Sequence, residues 1–211
     1  MLRRSLLITA VVVAAGTLAP SLPARAGADP GGFINDLGNQ LQSVTRNASP
    51  EQKLAAFREL FHQDFDVPGL GRFVLGRFWW VLSPDERQEF LTLFENYVVL
   101  SYSGKLSEFA ADGGCPRVTG SRADPGGTIV SSEIIRGSAP WAGGSSMAQP
   151  IRIDWRVTGQ NGLYKISDVI IDGLSMAANG RSQLEGVVER NGGRAQAILA
   201  VMRQQIASAS R

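Results

Sequence analysis

One stretch of the chain, Ile151–Gln183, constrains the fold more than any other. Its first run alternates apolar residues with charged ones, and the apolar members are Ile151, Ile153, Trp155 and Val157. Successive side chains of a β-strand point to opposite faces, so this run is predicted to be a half-buried strand. Asn161-Gly162 follows, a pair that tolerates the positive φ angles of a tight hairpin turn. The sequence therefore predicts a β-hairpin with one apolar face.

The returning strand of this hairpin changes phase partway along its length. Tyr164 and Ile166 share one parity, whereas Val169 and Ile171 share the other. A β-bulge places one extra residue in a strand, so we expect a bulge near Ser167-Asp168. A sheet with one apolar face also needs a covering layer, and the rest of the chain is expected to supply it.

Helical spacing of apolar residues recurs on both sides of the hairpin. It predicts helices over Phe33–Val44, from Pro50 to a break at Asp64–Pro68, over Leu70–Leu82, from Pro84 to Phe109, over Arg181–Val188 and over Ala195–Ile206. Capping boxes mark two of the starts, Ser49 with Gln52 and Ser83 with Glu86. Two further strands precede the hairpin, Val118–Ala123 and Thr128–Arg136, and Gly173 is expected to loosen its end. This order predicts an α+β fold, a curved antiparallel sheet wrapped by helices.

The helix predicted over Leu70–Leu82 is the most apolar part of the chain after its N-terminal segment. Its apolar members leave little polar surface beyond two arginines, and include Phe73, Leu75, Phe78, Trp79 and Leu82. A helix that is apolar on nearly every side is either buried or faces an apolar partner. The following helix adds Phe94 and Val98 to its own apolar side. Packing in the protein core is enough to explain each aromatic residue taken alone. Their occurrence together is explained by a ligand site whose wall they form.

The N-terminal segment has the three parts of a secretory signal peptide. They are the basic pair Arg3-Arg4, the apolar run Leu6–Ala19 and the cleavage site Ala24-Arg25-Ala26. We expect residues 1–26 to be removed, leaving one domain over residues 27–211, with the Sec route favoured over the twin-arginine route. Cleavage would reduce the 21 basic residues to 18, against 19 acidic ones. Charge therefore gives no reason to expect nucleic acid as a partner.

Residues suited to catalysis or metal binding are scarce in this sequence. The single histidine, His62, excludes a multi-histidine metal site, and the single cysteine, Cys115, excludes an internal disulfide. Motifs for serine hydrolases, zinc proteases and dithiol chemistry are missing. Asp168 and Asp172 are candidates for paired acids in the sheet, although hydrogen-bonded turn acids are commoner. We therefore expect no catalytic residue, no metal and no cofactor.

The chain resembles the MlaC / toluene-tolerance family in several segments that occur in the same order. These segments are Leu75–Trp79, Ser83–Phe90, Tyr102–Phe109, Tyr164–Val169, Gly173–Met176 and Arg181–Gln183. The stretch Val187–Gly193 is more similar to the branch associated with hopanoid lipid biosynthesis. One departure is Gly180, which stands where the family usually has an aromatic residue, so contacts of that ring are not carried over.

The resemblance implies an NTF2-like fold that encloses an apolar cavity for acyl chains. It also implies a periplasmic, non-enzymatic carrier of a phospholipid or hopanoid-type lipid, which exchanges cargo with an inner-membrane ABC transporter complex and an outer-membrane lipid-transfer complex. The expected lipid-binding residues are Phe73, Leu75, Phe78, Trp79, Leu82, Phe94, Val98, Ile151, Ile153, Trp155, Val157, Ile166, Val169 and Ile171. The alternatives are an exported adaptor and an NTF2-like enzyme that uses a cavity carboxylate such as Asp168.

Overall fold

The computed structural model of the protein describes residues 29–45, 48–111, 116–134, 150–160 and 163–209. The helices are α1 Pro30–Thr45, α2 Pro50–Asp64, α3 Val67–Leu75, α4 Pro84–Ala111, α5 Met176–Arg190 and α6 Ala197–Ala209, with a 3₁₀ segment over Gly76–Trp80. The strands are β1 Arg117–Asp124, β2 Gly127–Ile134, β3 Ile151–Gln160, β4 Leu163–Ile171 and β5 Leu174–Ser175. These elements confirm the α+β class. The predicted signal peptide, Cys115 and the Asn161-Gly162 turn lie outside the described residues.

Both predicted capping boxes are present at the helix starts. At α2, the Gln52 amide donates to the Ser49 hydroxyl at 3.3 Å, and the Ser49 amide donates to the Gln52 side chain at 2.8 Å. At α4, the Glu86 and Ser83 amides make the equivalent bonds at 3.2 and 2.8 Å. Each box satisfies backbone donors that a helix leaves unpaired in its first turn.

The prediction of one continuous helix over Leu70–Leu82 is wrong. Helix α3 starts at Val67 and ends at Leu75, because Gly76 has φ +54°, and the chain continues as a 3₁₀ segment. A Cβ atom at Gly76 would lie 2.8–2.9 Å from the guanidinium group of Arg181. The glycine is therefore favoured by its backbone angle, and the guanidinium group of Arg181 from α5 packs beside it.

The five strands form an antiparallel sheet in the order β1-β2-β3-β4-β5. The predicted bulge is confirmed. Arg156 pairs with Asp168 and Val157 pairs with Ile166, which leaves Ser167 as the extra residue of β4. The predicted alternation of β3 is confirmed too, since Ile153, Trp155 and Val157 are buried, Ile151 is partly buried and their charged neighbours are more exposed. We call the face that carries Trp155 the inner face and the opposite one the outer face.

The chain makes a tight turn between β4 and β5. Asp172 and Gly173 have φ angles of +48° and +85°, which is the combination of a type I′ hairpin turn. Gly173 therefore reverses the chain rather than loosening a strand end, and β5 pairs back onto β4. Ser175 then caps α5 by accepting from the Ala178 amide at 3.0 Å, so this helix begins earlier than the predicted Arg181.

Candidate functional site

The buried apolar side chains form two separate clusters. The first, the helical cluster, joins residues of α2, α3, the 3₁₀ segment, α4, α5 and α6. Four of the predicted lipid-binding residues are buried in this cluster: Leu75, Phe78, Leu82 and Phe94. Two more, Trp79 and Val98, are partly buried and pack against it. Tyr97 and Tyr102 also pack against this cluster. Burial raises the pKa of Tyr102 above its ordinary value, so its hydroxyl stays uncharged at physiological pH.

The second cluster, the sheet cluster, lies on the inner face under α1 and one side of α2. Its predicted members are the buried residues Ile153, Trp155, Val157 and Ile166, with Ile151 and Val169 partly buried beside them. Ile34, Leu37 and Leu60 cover them from the helices. The residue Ile171 pairs with Ile153, so it also belongs to the inner face, where it is partly buried.

Helix α2 separates the two clusters. Phe57 and Phe61 of this helix belong to the helical cluster, whereas Leu60 belongs to the sheet cluster. Phe65, which follows the helix, packs against both. The predicted site residues are therefore divided between two apolar surfaces that meet at α2, rather than gathered on one surface.

Phe73 lies in neither cluster. Its side chain is 47% exposed, and the Arg181 guanidinium carbon lies 5.8 Å from its ring centroid. The prediction that Phe73 forms part of an internal wall is wrong in this respect, because the helix that carries it has only one buried side. Val74 and Leu75 occupy that side and Phe73 points away from it.

The inner face contains one polar pair that the sequence analysis missed. The Trp155 indole N–H donates to the Ser132 hydroxyl at 2.9 Å, and this hydroxyl donates to the Ile153 carbonyl oxygen at 3.1 Å. Ser132 is only 2% exposed, so each group satisfies the other away from water. The available signal was the position of Ser132 between Val130 and Ile134, a polar residue at the inward parity of β2.

Charged side chains dominate the outer face of the same sheet. Ion pairs join Arg122 to Asp154 at 3.6 Å, and Glu133 to Arg117 and Arg152 at 3.8 and 3.9 Å. A depression of about 620 Å³ lies on this face, and the residues that line it include Thr119, Ser131, Glu133, Arg152, Asp154, Ile170, Asp172 and Gly173. Such a lining suits water and ions rather than an acyl chain.

The two candidate acids have structural partners on or beside that outer face. Asp168 accepts a hydrogen bond from the Ser175 hydroxyl at 2.6 Å and one from the Ala177 amide at 3.1 Å, and lies 3.7 Å from Arg156. Asp172 occupies the tight turn and accepts from the Arg152 amide at 3.3 Å. The structure thus places Asp168 opposite the inner face, where it holds the start of α5 instead of facing an apolar cavity.

His62 is at the surface near the end of α2. Its imidazole is 70% exposed and lies 3.5 Å from the Glu95 carboxylate. Within the part of the chain that the structure describes, no group of histidine, cysteine and acidic residues is arranged to hold a metal ion. Among the described helices, none combines the length and the apolar character needed to cross a membrane.

The comparisons with known proteins agree with the resemblance seen in the sequence. The model of the MlaC protein family matches residues 34–204, which is most of the chain. The chain belongs to the MlaC family. No curated protein matches its sequence. Among solved structures, it is similar to a phospholipid-binding protein from Ralstonia solanacearum, in complex with a phospholipid.

This structural likeness to a second protein concerns the fold. The two chains share 18% identity and superpose with a TM-score of 0.69, over 89% of this chain and 99% of the other. The curved antiparallel sheet with its helices is thus a fold that this solved protein also has. The MlaC family is one of lipid-binding carriers and is not known for catalysis, so lipid binding is the activity that family membership supports.

Proposed function

We propose that this MlaC-family protein is a periplasmic carrier that holds the acyl chains of a lipid between the inner face of its sheet and its helices. The observation that carries the proposal is the apolar character of that inner face. Among the described strands, Ser132 is the buried polar side chain of the inner face, and it is already hydrogen-bonded to Trp155 and Ile153. An acyl chain laid there would therefore leave no buried donor or acceptor without a partner.

The energetics of lipid transfer explain why such a surface is needed. Each buried methylene contributes about 0.8 kcal/mol, so a two-chain lipid needs roughly 20 kcal/mol or more to leave a bilayer. That value is near the upper limit of non-covalent affinity, at about 18–21 kcal/mol. A small carrier reaches it only by enclosing the chains in a dry apolar site. The free energies in carrier and membrane are then similar, and docking partners must decide the direction of transfer.

The proposed contact residues lie on the two apolar surfaces that meet at α2. On the sheet side they are Ile151, Ile153, Trp155, Val157, Ile166, Val169 and Ile171. On the helical side they are Leu75, Phe78, Trp79, Leu82, Phe94 and Val98. Partly buried members such as Val169 and Trp79 still expose apolar surface that a ligand would cover. Phe73 is left out because it is exposed on the outside.

The family and the sequence together support a cargo and a route as part of this proposal. The solved relative holds a phospholipid, which supports a phospholipid as the cargo here. The likeness of Val187–Gly193 to the hopanoid-associated branch supports a hopanoid-type lipid as the alternative cargo. Export by the predicted signal peptide would bring the protein to the periplasm. There it would pass lipid between an inner-membrane ABC transporter complex and an outer-membrane lipid-transfer complex.

The test is the lipid content and transfer activity of the purified wild-type protein. Mass spectrometry of solvent extracts should find one class of long-chain lipid in near-stoichiometric amount, and the protein should speed its transfer between labelled vesicles. Protein without lipid and without transfer activity would contradict the proposal and favour an adaptor. Lipid that is chemically altered during incubation would instead indicate an enzyme.

A further inference from the structure

The segment that joins α3 to α4 exposes apolar side chains that the lipid site does not use. Trp80 is 67% exposed and Val81 is 62% exposed, whereas Phe78 in the same segment is buried. Phe73, in the preceding helix α3, is 47% exposed. The segment thus has a buried side within the helical cluster and an apolar side that faces solvent.

Arginines surround the exposed rings. The Arg72 guanidinium lies 5.1 Å from the Trp80 ring centroid, and that of Arg87 lies 5.8 Å from it. Arg77 is exposed nearby, and its guanidinium carbon lies 5.0 Å from the ring centroid of buried Phe78. Neither Arg72 nor Arg77 forms an ion pair with a described residue. A guanidinium close to an aromatic ring still has N–H groups that can bond to phosphate.

The geometry of this segment is fixed by the fold. The Val81 amide donates to the Phe78 carbonyl at 3.0 Å, and the Arg87 guanidinium donates to the Trp79 carbonyl at 2.6 Å. The capping box of α4 follows directly, and in it the Glu86 carboxylate accepts from the Ser83 amide. The backbone that carries Trp80 and Val81 is therefore fixed before any partner arrives, which lowers the ordering cost of binding.

We propose that the aromatic–arginine patch, formed by Arg72, Phe73, Arg77, Trp80, Val81 and Arg87, docks the protein on the surface of an anionic phospholipid bilayer. Indole rings prefer the headgroup level of a membrane, and arginines are attracted to anionic headgroups. The apolar side chains of the patch thus suit the region between the lipid headgroups, and its arginines suit the negative charge of those headgroups.

The size of the patch favours a bilayer over a protein partner. A stable protein interface buries about 800 Å² on each side and involves about 20–30 residues. Three exposed apolar side chains fall well short of that extent. Shallow insertion of Trp80 and Val81 between headgroups needs no larger surface, and the neighbouring arginines then contact phosphates.

The experiment measures binding to vesicles by flotation, with phosphatidylcholine alone compared with phosphatidylcholine and phosphatidylglycerol at about 3:1. The wild-type protein should bind the anionic vesicles, and less so at high salt. The double substitutions Trp80→Ser with Val81→Ser, and Arg72→Gln with Arg77→Gln, should each weaken this binding by about tenfold or more.

Matched controls come from exposed residues elsewhere. Leu163→Ser removes an apolar side chain that is 80% exposed, and Arg190→Gln removes an exposed charge, so both should bind as the wild type does. Circular dichroism checks the fold, and the single change Trp80→Ser serves if a double variant is unstable.

Three results would overturn the proposal: equal binding to both vesicle types, no loss in the patch variants, or a loss shared by the controls. Patch variants that bind vesicles normally but no longer engage a transport complex would show that the patch contacts a protein instead. Lipid content is measured in parallel and should not change. Failure of docking therefore leaves the carrier proposal standing, and the reverse also holds.

Discussion

The two faces of the sheet use opposite chemistry on the same strands. On β3, Ile153, Trp155 and Val157 point inward, and the Trp155 indole is satisfied by one buried hydroxyl. The outward residues Asp154 and Arg156 pair with charged residues of β1, and Arg156 also approaches buried Asp168. The difference teaches that an apolar ligand has one face to bind to, while the other is held by polar contacts that such a ligand would disrupt.

The largest effect on this comparison is expected from Asp168→Ala on the outer face. The substitution leaves the Ala177 amide and Arg156 without their buried acceptor, which should lower the free energy of unfolding by about 3 kcal/mol. Urea denaturation measures the change. Asp168→Asn keeps an acceptor oxygen and should cost less. If Asp168→Ala unfolds at the same urea concentration as the wild type, the contacts of Asp168 do not hold α5.

A smaller effect is expected from Ser132→Ala on the inner face. The Trp155 indole would lose its acceptor, at a cost of about 1–2 kcal/mol. In a double-mutant cycle with Trp155→Phe, which removes the donor itself, the two changes should couple by about 1 kcal/mol. Strictly additive changes would mean that the bond contributes nothing to the stability of the inner face.

The smallest effect is expected from Asp154→Asn, which breaks the ion pair with Arg122. Arg122 is 60% exposed, so water and salt screen the interaction, and the free energy of unfolding should change by less than about 0.5 kcal/mol. Thermal unfolding at low and high salt checks this. A loss as large as that of Asp168→Ala would mean that the surface pairs, rather than the buried carboxylate, hold the outer face.

Local signals in the sequence were enough to predict much of this fold. The capping boxes at Ser49 and Ser83 depend on residues three apart, and the alternation of β3 depends on neighbours within one strand. The bulge at Ser167 could be predicted from the change of parity, because a single extra residue exchanges the two faces. In each case the physical cause lies within a few residues of its effect.

The errors arose where the apolar pattern does not reveal the cause. Helix α3 ends at Leu75 because Gly76 takes a positive φ, and the apolar periodicity that continues through Phe78 and Leu82 hid this break. Apolar periodicity also shows which side of a helix is buried, but not which neighbour covers it. The predicted site residues therefore fell into two clusters separated by α2, and Phe73 was placed inside although it is exposed.

The most direct test of the central claim compares two neighbouring residues of β4. Val169 and Ile170 are both partly buried, but Val169 packs against the sheet cluster and Ile170 lines the polar depression outside. Lipid per folded protein should be measured for Val169→Asn and Ile170→Asn, with circular dichroism as the control for folding. An unpaired amide beside acyl chains costs about 1–3 kcal/mol, so Val169→Asn should weaken lipid binding about tenfold while Ile170→Asn retains wild-type lipid. Equal losses, or a loss confined to Ile170→Asn, would contradict the assignment of the inner face as the lipid site.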